Sequence, residues 1–259
     1  MLTKTGLRQN QIVELTRLQS AVTIDELAIG FGVSAQTIRR DINALCDANV
    51  LRRRHGGAET IEHPINTAYD ARTVINTDAK RAVARAVAAM IPDGTTIFLS
   101  IGTTPAIVAQ ELRGRKNLTV VTNNLNAAMA LTGERSNRII LPGGEIRLPD
   151  RDFLGAEASA VFTRYRADFG IYGVGGIDRD GSLLDFHQAE IQAREAIREN
   201  ARVSLLVADS SKFGRAAPAL GGMIDDADHV MIEARPCDAF APILERVAGR
   251  LQVVAEAVS

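Results

Sequence analysis

From Thr77 onward the chain alternates short apolar runs with amphipathic helical stretches, and this alternation restricts its fold more than any other feature of its 259 residues. The runs are TIFLS (96–100), LTVVT (118–122), RIIL (138–141), FGIYGV (169–174), VSLLVA (203–208), HVMIE (229–233) and LQVVAE (251–256). Helical spacing lies between most of them, and a helix over 78–90 precedes them, closed by Pro92-Asp93-Gly94. Short apolar runs separated by helices predict strands buried on both faces, in a largely parallel sheet covered by helices. In such a sheet the loops after the strands gather along one edge, and ligands are expected there.

Those loops are where polar and glycine-rich residues collect. The first run leads through Ser100 into Ile101-Gly102-Thr103-Thr104-Pro105. Gly102 permits close backbone approach, the threonine hydroxyls can donate, and Pro105 suits the first turn of a helix. Amides at a helix start carry partial positive charge, so the segment is a candidate phosphate cradle; a plain strand-to-helix turn would read the same way. Later runs end in Thr122-Asn123-Asn124, Pro142-Gly143-Gly144-Glu145, Gly173-Val174-Gly175-Gly176-Ile177-Asp178 and Asp209-Ser210-Ser211-Lys212-Phe213-Gly214. Each could be turn chemistry alone. Their convergence on one edge of one sheet favours a binding rim, to which Lys212 adds the cation a phosphate needs.

Ahead of residue 59 the periodicity is helical. Ile12, Leu15 and Leu18 predict a helix ending near Gln19 and Ser20. Thr23-Ile24-Asp25-Glu26 is a capping box that opens a second helix burying Ile24, Leu27, Ala28 and Phe31; Gly32 supplies the turn, and Ser34 caps a third helix. On that helix Ile38, Ile42 and Leu45 form the inward stripe, while Gln36, Arg40, Asn43 and Asp47 face out. A tight helix pair presenting amide, hydroxyl and guanidinium groups is what reading a DNA major groove requires, although a solvated polar face would carry the same residues. Leu51-Arg52-Arg53-Arg54-His55-Gly56-Gly57 then sends three successive cations into a glycine turn, a hairpin suited to lying along phosphates. Net charge by itself says little, since residues 1–60 hold eight Lys/Arg against six Asp/Glu and the remainder 22 against 25.

The runs VSAQTIRRDINAL (33–45) and LRRRHGGA (51–58) resemble the N-terminal signature of the DeoR family of bacterial transcriptional regulators. The resemblance implies a repressor with double-stranded operator DNA as partner, Gln36, Thr37 and Arg40 meeting bases and Ser34, Arg39, Arg52, Arg53, Arg54 and His55 positioning the backbone. Residues 77–259 resemble the family's sugar-phosphate sensor domain through IGTTPAIVAQEL, VTNNLNAA, DFGIYGVGGIDRDGSLLDF, AIREN and SSKFGR. That implies a fold similar to ribose 5-phosphate isomerase and a small phosphorylated inducer, sn-glycerol 3-phosphate ahead of other sugar phosphates. The residues so implicated are Ser100, Gly102, Thr103, Thr104, Asn123, Asn124, Gly144, Glu145, Gly175, Gly176, Asp185, Glu190 and Lys212. Ser100 stands where the family commonly has Asp, and a hydroxyl supplies neither that charge nor two-point acceptance from a diol. Asp185 and Glu190 are the acids left for polyol recognition, and a fructose, tagatose or deoxyribose phosphate stays open as the inducer.

The chain therefore reads as α/β overall, with an N-terminal winged helix-turn-helix over 1–58, a linker marked by Pro64 over 59–76, and a larger α/β sensor domain over 77–259. One winged helix contacts too little DNA for tight specific binding, so a homodimer or homotetramer is expected. The isomerase resemblance makes catalysis on a sugar phosphate the competing reading. Such an enzyme needs a positioned general base, and Ser100 and the loop at 173–178 offer few acids, so no enzyme is expected. No apolar run approaches the roughly 18–20 residues of a membrane span, and MLTKTGLRQN lacks the apolar core of a signal peptide, which points to a cytoplasmic protein with no membrane partner. Cys46 and Cys237 match no ligand or redox spacing and are expected as buried, reduced thiols. His55, His63, His187 and His229 are scattered, so neither a metal nor an organic cofactor is expected.

Overall fold

A computed structural model of the chain describes residues 4–19, 21–47, 50–59, 66 and 68–254. His63, Pro64 and the last two residues of the run 251–256 lie outside them. The chain divides into two compact units, Met1–Asp78 and Ala79–Ser259, with the boundary inside the first turn of the helix Thr77–Met90, whose remainder belongs to the second unit.

The first unit comprises α1 (Lys4–Gln19), β1 (Ala21–Thr23), α2 (Ile24–Phe31), α3 (Ala35–Asp47), β2 (Arg52–Arg54), β3 (Gly57–Glu59) and α4 (Tyr69–Val74). Glu59 and α4 are thus regular structure within the stretch that lacks periodicity in sequence. The capping box forms: Glu26 N donates to Thr23 Oγ1 (3.3 Å) and Thr23 N to Glu26 Oε2 (3.1 Å). Gly32 closes α2 in the left-handed conformation, with φ 63°. Ile12, Val22, Leu27, Ile38, Ile42, Leu45, Leu51 and Ala58 are among the residues of the core. The strands pair antiparallel in the order β1-β3-β2, which makes the arginine run one strand of a wing. The wing's two glycines serve different ends. Gly56 turns the hairpin at φ +77°, whereas a Cβ on Gly57 would lie 1.9 Å from Val22 O of the paired strand. An ionic tie joins the first and third helices: Asp41, 2% exposed, accepts from Arg8 Nε (2.6 Å) and Gln9 Nε2 (3.2 Å).

The second unit contains α5 (Thr77–Met90), β4 (Thr96–Leu99), α6 (Thr103–Glu111), β5 (Thr119–Thr122), α7 (Leu125–Ala130), β6 (Arg138–Ile140), α8 (Ala156–Thr163), β7 (Ala167–Tyr172), β8 (Gly176–Ile177), β9 (Ser182–Asp185), α9 (Gln188–Asn200), β10 (Ala201–Val207), β11 (Ala219–Met223), β12 (His229–Ile232), α10 (Ala241–Arg246) and β13 (Leu251–Val253). All seven apolar runs contribute strands to one parallel sheet in the order β13-β12-β10-β7-β4-β5-β6. The chain enters at β4, runs out to β6, returns beside β4 as β7 and runs out again to β13, so strand order reverses between β4 and β7. Side chains alternate between two cores. Ile97, Leu99, Val120, Leu205 and Met231 meet α5, α6 and α7, while Phe98, Val121, Leu206 and Val230 meet α8, α9 and α10. A small antiparallel sheet, β11-β9-β8, is built from strands of two to five residues, two of them containing glycine, too short to announce themselves in sequence.

The two thiols depart from expectation. Both are free, but Cys46 is only half-buried and Cys237 is exposed, because Cys237 leads into the 3-10 turn ahead of α10 and such connections run over the surface. Among the described residues no helix is long and apolar enough to cross a membrane.

Candidate functional site

On the first unit, α3 presents Gln36, Arg39 and Arg40 to solvent while Ile38, Asp41 and Ile42 turn inward. Ser34 Oγ accepts from Thr37 N (3.2 Å) and lies 2.9 Å from Thr37 Oγ1, so the cap also fixes the Thr37 side chain at the start of the exposed row. Arg52 pairs with Glu59 across the wing (3.7 Å), and Arg53 with Asp47 at the end of α3 (3.3 Å). These exposed pairs are each worth under about 1 kcal/mol and can give way to phosphates. Arg54 and His55 are exposed at the wing tip.

On the second unit the parallel sheet brings its loops to one rim, with the strand-order reversal at its centre. There Ser100 N donates to Ile171 O (2.9 Å), extending the pairing of β4 with β7. Gly102 follows at φ 104° as the cap of α6, with no side-chain cap on the helix, and a Cβ there would find only Pro105 Cδ at 3.7 Å. The helix thus opens on Thr103 and Thr104 with backbone donors uncapped by any side chain. Asn124 shapes this turn. Its Nδ2 donates to Ser100 O (3.1 Å) and Gly102 O (2.9 Å), and its Oδ1 caps α7 by accepting from Ala127 N (3.2 Å). Asn123, fully buried beside it, donates from Nδ2 to Phe153 O (3.0 Å).

The remaining rim residues divide by job. A Cβ on Gly175 would come 2.9 Å from Leu184 O and one on Gly176 1.9 Å from Arg215 O, so both glycines are required by the chain's own packing. Asp185 is committed as well: Oδ1 accepts from Gly175 N (2.8 Å) and Oδ2 from Arg194 Nε (3.2 Å). Burial pushes its carboxyl up to about 6, against the opposing pull of the Arg194 guanidinium. Glu190, at the start of α9, accepts from Phe186 N at Oε2 (3.1 Å) and from Arg147 at Oε1 (3.0 Å). Lys212, half-buried, closes a 3-10 turn after β10 in which Ser211 N donates to Asp209 and Ser210 N to Glu233. Gly144, at φ +103°, and Glu145 lie in the exposed loop after the edge strand β6. A separate open cavity of about 350 Å³, lined by Arg85, Ala88, Ala89, Glu111, Gly114 and Arg115, sits at the opposite end of α6 and touches none of these residues.

Sequence reading missed Arg147, Asp152, Arg194 and the buried Lys80. Charged residues in loops and helices read as solvent-facing unless long-range partners are known, and Arg147 and Arg194 each have one from a distant segment, Glu190 and Gly221 O respectively.

A winged helix-turn-helix with an exposed cationic face, followed by a doubly wound domain with a polar rim at its reversal point, defines an effector-responsive DNA-binding protein. Residues 8–63 match the DeoR-like helix-turn-helix domain and residues 75–234 the DeoR C terminal sensor domain. The chain belongs to the DeoR family and is a DeoR-type repressor. It is 45% identical over 229 residues to the glycerol-3-phosphate regulon repressor of Escherichia coli, covering 88% of this chain and 91% of that one. With the repressor of the same name from Haemophilus influenzae it shares 40% over 227 residues, 88% and 89% of the two chains. Among solved structures, ribose 5-phosphate isomerase A from Methanocaldococcus jannaschii aligns over 53% of this chain and 55% of its own, with 18% identity and a TM-score of 0.40.

Proposed function

We propose that the protein represses genes of glycerol and glycerol-3-phosphate catabolism and is released from its operator by sn-glycerol 3-phosphate. The observation that carries this is the turn at Gly102, held by Asn124 so that the uncapped start of α6 opens onto the reversal point of the sheet. That is a dipole-assisted seat for a phosphate. Lys212 supplies a countercharge, and the names of the 45% and 40% identical relatives point to the same metabolite. In this reading Gln36, Thr37 and Arg40 read bases, while Ser34, Arg39, Arg52, Arg53, Arg54 and His55 hold the backbone. The domains run over 1–58 and 77–259 and act in the cytoplasm as a homodimer or homotetramer, because paired half-sites need paired readers. The rim binds rather than catalyses. Asp185 is buried, ion-paired with Arg194 and committed to holding Gly175, so it is poorly placed to serve as a general base.

Release follows from linkage: effector favours a state whose readers no longer fit the operator, and DNA weakens effector binding by the same factor. Fluorescence anisotropy with operator DNA, titrated with glycerol 3-phosphate, glycerol, fructose 1-phosphate and inorganic phosphate, tests it. Glycerol 3-phosphate alone should release the protein, and Lys212→Ala should bind DNA normally but fail to release. Release by fructose 1-phosphate instead would replace the inducer and keep the repressor. No release by any of them would remove the phosphate seat.

A further inference from the structure

The rim carries a charged cluster to which effector binding has so far assigned only Glu190. Arg147, on the loop after β6, donates from Nε to Asp152 Oδ1 (2.9 Å) and from its terminal nitrogen to Asp152 Oδ2 (2.8 Å) and Glu190 Oε1 (3.0 Å), and lies 3.4 Å from Asp150 Oδ2. Asp152 and Glu190 are 2% and 6% exposed, while the Arg147 side chain keeps an open edge at 26%. The cluster joins two sides of the rim. On one side Asp152 bridges to Asn124, which holds the Gly102 turn. On the other, Glu190 accepts from Phe186 N, next to the Asp185 that holds Gly175.

Around Arg147 the carboxylates of Asp150, Asp152 and Glu190 outnumber the guanidinium, a set of groups poorly suited to a phosphate. The cluster suits hydroxyl groups, which donate to carboxylate oxygens with spare lone pairs and accept from a guanidinium N–H. A second observation points the same way. Asn123 Oδ1 is fully buried and has no hydrogen-bond partner among the described residues, although its Nδ2 is tied to Phe153, the residue after Asp152. Orphaned buried acceptors are rare, and this one calls for a donor.

We propose that Arg147, Asp152 and Glu190 form the hydroxyl-recognising end of the effector site and determine which phosphorylated polyol the protein accepts. The proposal rests on reading the rim as the effector site, with the phosphate seated at α6. Isothermal titration of the full chain with glycerol 3-phosphate and with propyl phosphate, which has the same carbons and phosphate but no hydroxyls, separates the two ideas. The unsubstituted protein should prefer glycerol 3-phosphate by about tenfold or more, as hydrogen bonds to charged groups provide. Glu190→Gln, which keeps shape and an acceptor for Phe186 N, should collapse that preference while leaving propyl phosphate affinity within about threefold of the original. Arg147→Lys, which keeps charge but loses the fork, should do the same; if it fails to fold, the isosteric Glu190→Gln decides alone. Equal weakening of both ligands, an undiminished preference in Glu190→Gln, or no preference in the unsubstituted protein would each overturn the proposal while leaving the phosphate seat standing. Failure of both ligands to bind the unsubstituted protein would overturn both.

Discussion

Arg40 and Asp41 are neighbours on α3, and the structure assigns them opposite fates that substitution should expose. Asp41 is 3% exposed at its side chain and accepts from Arg8 at 2.6 Å and Gln9 at 3.2 Å. Asp41→Ala leaves the Arg8 guanidinium, itself only 16% exposed, without its buried counter-ion. Breaking a buried pair by removing one partner costs about 3–5 kcal/mol, or two to almost four orders of magnitude in the folding equilibrium. A whole domain has only about 5–15 kcal/mol, and small domains sit low in that range. The first unit should therefore be marginally folded in Asp41→Ala. Amide exchange in α1 and α3 should accelerate, operator binding should be lost, and effector binding to the second unit should persist. Arg40→Ala, on the exposed face, should shift stability by less than about 0.5 kcal/mol while costing about 1–3 kcal/mol in operator affinity. If Asp41→Ala left amide exchange and urea unfolding of the first unit at their original values, the tie between α1 and α3 would not be what holds the reader together.

Gly57→Ala drives a Cβ to within 1.9 Å of Val22 O and must displace the wing from β1; a loss of about 1–3 kcal/mol in urea unfolding is expected, with weaker operator binding. Asn124→Asp keeps the α7 cap but removes the donors to Ser100 O and Gly102 O. It should destabilise the second unit by about 1–3 kcal/mol in thermal melts and weaken phosphate binding; an unchanged melt would mean those carbonyls find other donors. Asp185 titrates near 6 in the folded chain against 3.8 as its ordinary value, so the native state holds the proton more tightly. Its contribution to stability is full below about pH 4 and is lost as pH rises through about 6, a change on the order of 2–3 kcal/mol. Stability curves of the unsubstituted protein and Asp185→Asn should change their separation across that window, and a constant separation would contradict the shift.

Local signals made much of this legible. The alternation of apolar runs with helical stretches yielded all seven strands of the main sheet, because strands covered on both faces must be apolar throughout. The capping box at Thr23, the left-handed Gly32 and the arginine-to-glycine wing were equally readable, since caps and turns depend on residues within a few positions of one another. The rim loops were located because a parallel sheet sends every such loop to the same side.

What sequence could not decide was everything set by partners far along the chain. Asp41 reads as one more polar residue of α3 until Arg8, 33 positions away, covers it. Gly175 and Gly176 look like ligand-facing glycines until Leu184 and Arg215 are found pressed against them. Arg147 and Glu190 are 43 positions apart, and only the return of the chain beside β4 brings their loops to one rim. Hydrophobic periodicity and turn chemistry are properties of neighbouring residues and survive in the linear string, whereas the burial and pairing of a charge depend on which distant segment the tertiary structure lays against it.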